Sequence, residues 1–156
     1  MSDLYEDKER FLVYRIKDEL YASPLLDFKE VIEYIKPKLV PNMPSCFSGM
    51  INLRGLIMGV IDLRVKLGIQ ESNFLKSSML ICETEVGPLA AVIDKVEFVI
   101  YVTPSDIQDL KIEGKVQIDC LKGFLQHQDH LITIIDIKKF VSSIENKSVV
   151  EQEKAA

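Results

Sequence analysis

The chain has 156 residues, 47% of them hydrophobic and 28% charged, with a net charge of −5. A chain of this length and composition can bury roughly 70% of its unfolded surface without metal or disulfide support. No apolar run approaches the ~20 residues of a membrane span, and the acidic balance argues against a nucleic-acid partner, which selects a basic face.

Residues 1–9 are polar and lack the basic-then-apolar order of a signal peptide, so a cytoplasmic protein is expected. Residues 10–16 alternate as a strand, Lys17-Asp18-Glu19 turns, and Leu20 to Ala22 return as a hairpin ended by Pro24. The mixed apolar pattern of residues 25–34 predicts a short helix carrying Glu30 between Phe28 and Val31. Pro37, Pro41 and Pro44 then impose an extended connection. From Gly49 the pattern predicts a strand, a tight turn at Arg54-Gly55, a second strand to Ile61, and a helix opened by Asp62 and closed by Gly68. Residues 70–77 form a polar link. Strands follow over 79–84, 88–93 and 96–102, then a single helical turn at Thr103-Pro104-Ser105-Asp106 and a charged loop over 109–115. Residues 118–126 and 130–135 form a last hairpin turning at Gln128-Asp129, with a closing helix over 136–144 and a loose tail.

The two halves resemble each other. Asp62 follows Gly49 by 13 positions, and Asp136 follows Gly123 by 13. Phe11 and Tyr21 recur 68 positions later as Met79 and Leu89. Such spacing indicates two copies of one small β unit, and about ten short strands with short helices indicate an all-β architecture of small barrels.

The chemistry-bearing residues do not assemble into a catalytic set. Cys46, Cys82 and Cys120 are too widely spaced for a zinc pattern and read as core residues. His127, Asp129 and His130 surround an exposed turn and read as solvated. Asp62 and Asp136 read as helix caps, and no nucleophile elbow or phosphate-binding loop is present. Arg54 stands apart: it tips an otherwise apolar hairpin, where a pair with Glu30 would shape a docking surface.

Several segments together resemble the CheW-like domain, the family of the bacterial chemotaxis coupling protein. They are Phe11 to Tyr14, Glu19 to Ala22, Glu30-Val31, Val40 to Pro44, Gly49 to Gly55 with its Asn52-Leu53-Arg54-Gly55, and Val60-Ile61-Asp62-Leu63-Arg64. In the second half Val92 to Val96 and Ile134 to Ile137 fit more loosely. The resemblance implies an all-β fold of two SH3-like small antiparallel barrels side by side, with short helices and a C-terminal helix. The domain would span 10–142, with subdomains at 10–70 and 77–135, the helix 136–144 closing, and flexible tails at 1–9 and 145–156. It further implies a non-catalytic adaptor, without metal or cofactor, coupling chemoreceptors to the chemotaxis histidine kinase in a membrane-associated array. The implied partners are the kinase's regulatory domain and the chemoreceptor cytoplasmic tip, with no nucleic acid and no direct membrane insertion. By position the contacts would involve Phe28, Glu30, Gly49, Arg54, Val96 and Val99. The chain departs from the family pattern at Ser23-Pro24, at Gly59, where a proline is usual, and at Phe28, where a smaller aliphatic is usual. Two alternatives stand beside this reading: a similar adaptor in a non-motility two-component array, and a small β-barrel nucleic-acid binder, which steep salt dependence would reveal.

Overall fold

The computed structural model describes residues 7–69, 76–85, 87–109 and 120–142. Strands β1 (Glu9–Ile16) and β2 (Glu19–Pro24) form the first hairpin, whose turn places Lys17 at φ 56°. A 3-10 turn at Leu25–Asp27 leads into β3 (Phe28–Glu33), so the helix predicted over 25–34 is a turn and a strand. The reason lies in the period. Phe28, Glu30 and Ile32 are half-buried and Lys29, Val31 and Glu33 exposed, an alternation of two that a helix would scramble.

The remaining elements are β4 (Phe47–Leu53), β5 (Leu56–Asp62), α1 (Leu63–Lys66), β6 (Ser78–Thr84), β7 (Gly87–Ile93), β8 (Lys95–Val102), a 3-10 turn at Pro104–Asp106, β9 (Leu121–His127), β10 (His130–Ile135) and a helix α2 over 137–142. Both predicted helix openings hold. Asp62 Oδ1 accepts the Arg64 N–H at 3.0 Å and Asp136 Oδ1 accepts the Lys139 N–H at 3.1 Å. Positions 118–119 and 143–144, most of the loop at 109–115, the link at 70–75 and both tails lie outside the described residues.

The ten strands form two five-stranded sheets, ordered β8-β1-β2-β10-β9 and β3-β6-β7-β5-β4. These orders are one order written twice, because β6 to β10 repeat β1 to β5. Each sheet therefore takes its first hairpin from one copy and its other three strands from the other. One junction in each sheet is a parallel pair, in matching register: Ile134 opposite Ala22, and Val60 opposite Ala90. This corrects the expected contiguous subdomains at 10–70 and 77–135. One compact unit comprises Tyr14–Glu19 and Leu26–Glu97, and the other holds the remaining described residues. Internal similarity fixes which segments are alike, and it cannot tell whether a hairpin pairs within its own copy or with the other.

The cores repeat as well. One is built on Phe11, Val13, Ala22, Leu125, Ile132 and Ile134, and the other on Met79, Ile81, Ala90, Ile51, Met58 and Val60, position for position. Backbone bonds complete each barrel. Lys38 and Met50 exchange N–H···O bonds of 2.8 and 2.9 Å, and Gln108 and Phe124 exchange two of 2.8 Å. These crossings explain two glycines. A Cβ on Gly49 (φ 136°) would lie 2.3 Å from the Lys38 carbonyl oxygen, and one on Gly123 (φ 157°) would lie 2.4 Å from that of Gln108.

Candidate partner-docking site

The β4–β5 hairpin projects its turn from the second sheet. Arg54 and Gly55 have φ of 51° and 85°, the paired left-handed conformation of a turn that matches strand twist. Asn52 locks it, its Oδ1 accepting the Gly55 N–H at 2.8 Å. Arg54 is thereby held on the tip with 71% of its side chain exposed. Its guanidinium donates to both oxygens of Glu30 on β3, at 2.9 and 3.1 Å. The two-pronged geometry fixes the guanidinium plane as a single hydrogen bond would not. The hydrogen bond and the charge of Glu30 both raise the Arg54 pKa further, so the tip is cationic at every physiological pH.

The structure joins Glu30 and Arg54 as the sequence suggested, on a strand instead of a helix. Phe28 stands at the start of β3, half-buried, edge-on to Tyr14 with ring centroids 6.4 Å apart. Val96 is half-buried near the start of β8 in the same unit. Val99 belongs to the other unit, where it is 45% exposed. Gly49 is buried against the Lys38 backbone, so its requirement for glycine is internal.

At the end of β5 away from the turn lies a polar cluster that the sequence did not suggest. Arg64 is 2% exposed. It donates from Nε to Asp62 Oδ1 at 2.9 Å, from Nη2 to Asp62 Oδ2 at 3.0 Å and from Nη1 to Asp94 Oδ1 at 3.3 Å. Asp62 is thus cap and counter-ion at once, and Asp94 also accepts the Lys17 N–H. The spacing of Asp62 and Arg64 was the available signal, but the capping role alone accounted for Asp62.

No group of three or more potential metal-ligating side chains occurs among the described residues. All three cysteines are buried, and burial pushes the Cys82 thiol up to about 12, far from a reactive thiolate. His127 and His130 face each other across the Gln128-Asp129 turn, and Phe98 packs against His127 at 5.9 Å. No helix among the described residues is long and apolar enough to cross a membrane.

The chain, with Asn52-Leu53-Arg54-Gly55 at the hairpin tip, matches the family model of the CheW-like domain over residues 10–145. The chain belongs to that family. It is 29% identical over 149 residues to the chemotaxis protein CheW of Bacillus subtilis, covering 91% of this chain and 92% of that one. It is 28% identical over 142 residues to the CheW of Klebsiella aerogenes, covering 88% and 84%. Among solved structures, the scaffolding protein TtCheW from Thermoanaerobacter tengcongensis superposes with a TM-score of 0.74 at 27% identity, covering 83% of this chain and 89% of that one. The CheW-like family is one of scaffolds and adaptors, and the chain's place in it makes this a chemotaxis coupling adaptor.

Proposed function

We propose that the chain acts in the cytoplasm, without catalysis, by holding the regulatory domain of the chemotaxis histidine kinase against the cytoplasmic tip of chemoreceptors. The observation that carries this is the Arg54–Glu30 tip. A turn with two left-handed residues holds an exposed arginine in a fixed plane by two hydrogen bonds, within a sequence motif matched by the family. A solvated arginine with no partner to meet needs neither device. Glu30, Arg54, Phe28 and Val96 form the contact set on this unit. Val99 is the member of the set on the other unit, where Gly49's counterpart, Gly123, likewise serves the backbone.

An adaptor of this kind works through a difference in binding free energy between signalling states, typically ~1–3 kcal/mol. The test is Arg54→Glu in a pull-down of receptor tip and kinase. The substitution sets two carboxylates against each other on an exposed tip. The melting curve should be unchanged while ternary assembly weakens by about tenfold or more, as loss of an anchoring arginine does. Full assembly by the folded variant would remove this site from the account.

A further inference from the structure

We infer that the unit holding Phe11 and Val102 carries a second, separate docking site: a pocket that takes one arginine or lysine side chain from a partner protein. This goes beyond the Arg54 tip and uses none of its residues. Phe11, Val102 and Ile107 make an apolar floor, and Asp7, Glu9 and Asp109 stand on the rim with a single lysine, Lys122. The cavity measures about 260 Å³. That is below the ~300–1,000 Å³ of small-molecule sites, so it suits a side chain and not a cofactor.

The duplication explains why the pocket exists. Tyr34 is the counterpart of Val102, 68 positions earlier, and Ser77 is the counterpart of Glu9, 68 positions later. In the Tyr34 unit the tyrosine packs against the core, and its N–H donates to the Ser77 carbonyl at 3.2 Å. In the other unit a valine and a carboxylate stand at these two positions, and both line the cavity. One copy thus lays an aromatic ring on its core at this position, while the other carries a valine that lines an apolar slot with carboxylates around it.

Charge complementarity selects the occupant. Asp7, Glu9 and Asp109 enter no ion pair with another described residue. Three carboxylates against one lysine reject an acidic side chain and give a neutral one no electrostatic gain. A long cationic side chain satisfies both parts, with its methylene stem on Phe11 and Val102 and its head among the carboxylates.

The experiment is an NMR titration of the 15N-labelled full chain with N-acetyl-arginine methylamide, in the millimolar range expected for one side chain. Saturable shifts should centre on Val102, Ile107 and Lys122 and shrink as salt is added. N-acetyl-norleucine methylamide, of similar length without charge, should bind about tenfold more weakly or worse. Glu9→Gln with Asp109→Asn, both exposed, should weaken the arginine probe, and Val102→Tyr should abolish its binding by filling the slot. Arg54→Glu should bind the probe as the parent chain does, which separates this site from the hairpin tip. Absence of saturable shifts at the pocket, equal binding of the norleucine probe, or full binding by the charge-neutralised rim would each overturn the inference. Should Val102→Tyr fail to fold, the rim variants decide.

Discussion

Replacing Arg64 by methionine should destabilise the protein far more than its place beside an exposed hairpin suggests. Arg64 and Asp62 are 2% and 5% exposed and share two side-chain hydrogen bonds, of 2.9 and 3.0 Å. Methionine fills much of the volume but leaves Asp62 as a buried carboxylate without its cation. Removing one member of a buried pair costs about 3–5 kcal/mol, mostly the penalty of the charge left behind. Asp94 contributes less to that penalty, because its side chain is 26% exposed and its contact with Arg64 is the longest, at 3.3 Å. With a urea slope of about 2 kcal/mol/M, the unfolding midpoint should fall by roughly 2 M. The decisive comparison is Arg64→Met combined with Asp62→Ser. Serine keeps an acceptor for the first turn of α1 and removes the buried charge, so the double variant should lose only about 1–2 kcal/mol. A midpoint shift under about 0.5 M for Arg64→Met, or a double variant no more stable than the single one, would refute the claim that an unpaired Asp62 sets the cost.

Other outcomes follow from the same geometry. Gly49→Ala should cost about 3 kcal/mol or more in thermal unfolding, since its Cβ would meet the Lys38 carbonyl oxygen at 2.3 Å in a left-handed backbone. At Gly55 a new Cβ meets nothing within 4 Å, so Gly55→Asn should cost under about 1 kcal/mol. Cys82 should resist a thiol reagent at pH 8 in the folded protein and react once urea unfolds it, since burial holds its pKa at about 12. Acid should act partly through Glu97, held below its ordinary value chiefly by the hydrogen bond from Arg15, and Asp106, held down by the Thr103 N–H and hydroxyl. A depressed folded pKa gives stabilisation that is complete above the unfolded value, near ~4, and is lost as pH falls through the folded one. Glu97→Gln should therefore flatten the loss of stability measured by urea unfolding below about pH 4.

Local features were the legible part of this sequence. The turns at Arg54-Gly55 and Gln128-Asp129, the caps at Asp62 and Asp136, and most strands each follow from a few adjacent residues, and the structure places them where the pattern does. Residues 28–33 misled because Val31 and Ile32 beside Phe28 suggest a helix face, while the true alternation runs over only six positions. The exchange of hairpins was illegible for another reason. Ala22 opposite Ile134 and Ala90 opposite Val60 are small-against-branched pairs that would serve equally well within one copy. The Arg54–Glu30 pair could be guessed because both residues break apolar surroundings. The Arg64–Asp62–Asp94 cluster could not, because it joins residues 30 positions apart through a fold not yet known.

The most direct measurement is co-sedimentation of a receptor cytoplasmic tip with the kinase regulatory domain, with and without this chain. The account predicts that the chain binds each and that the two sediment together only in its presence, with Arg54→Glu reducing the joint pellet. Binding to neither partner, or co-sedimentation that is the same without the chain, would contradict it.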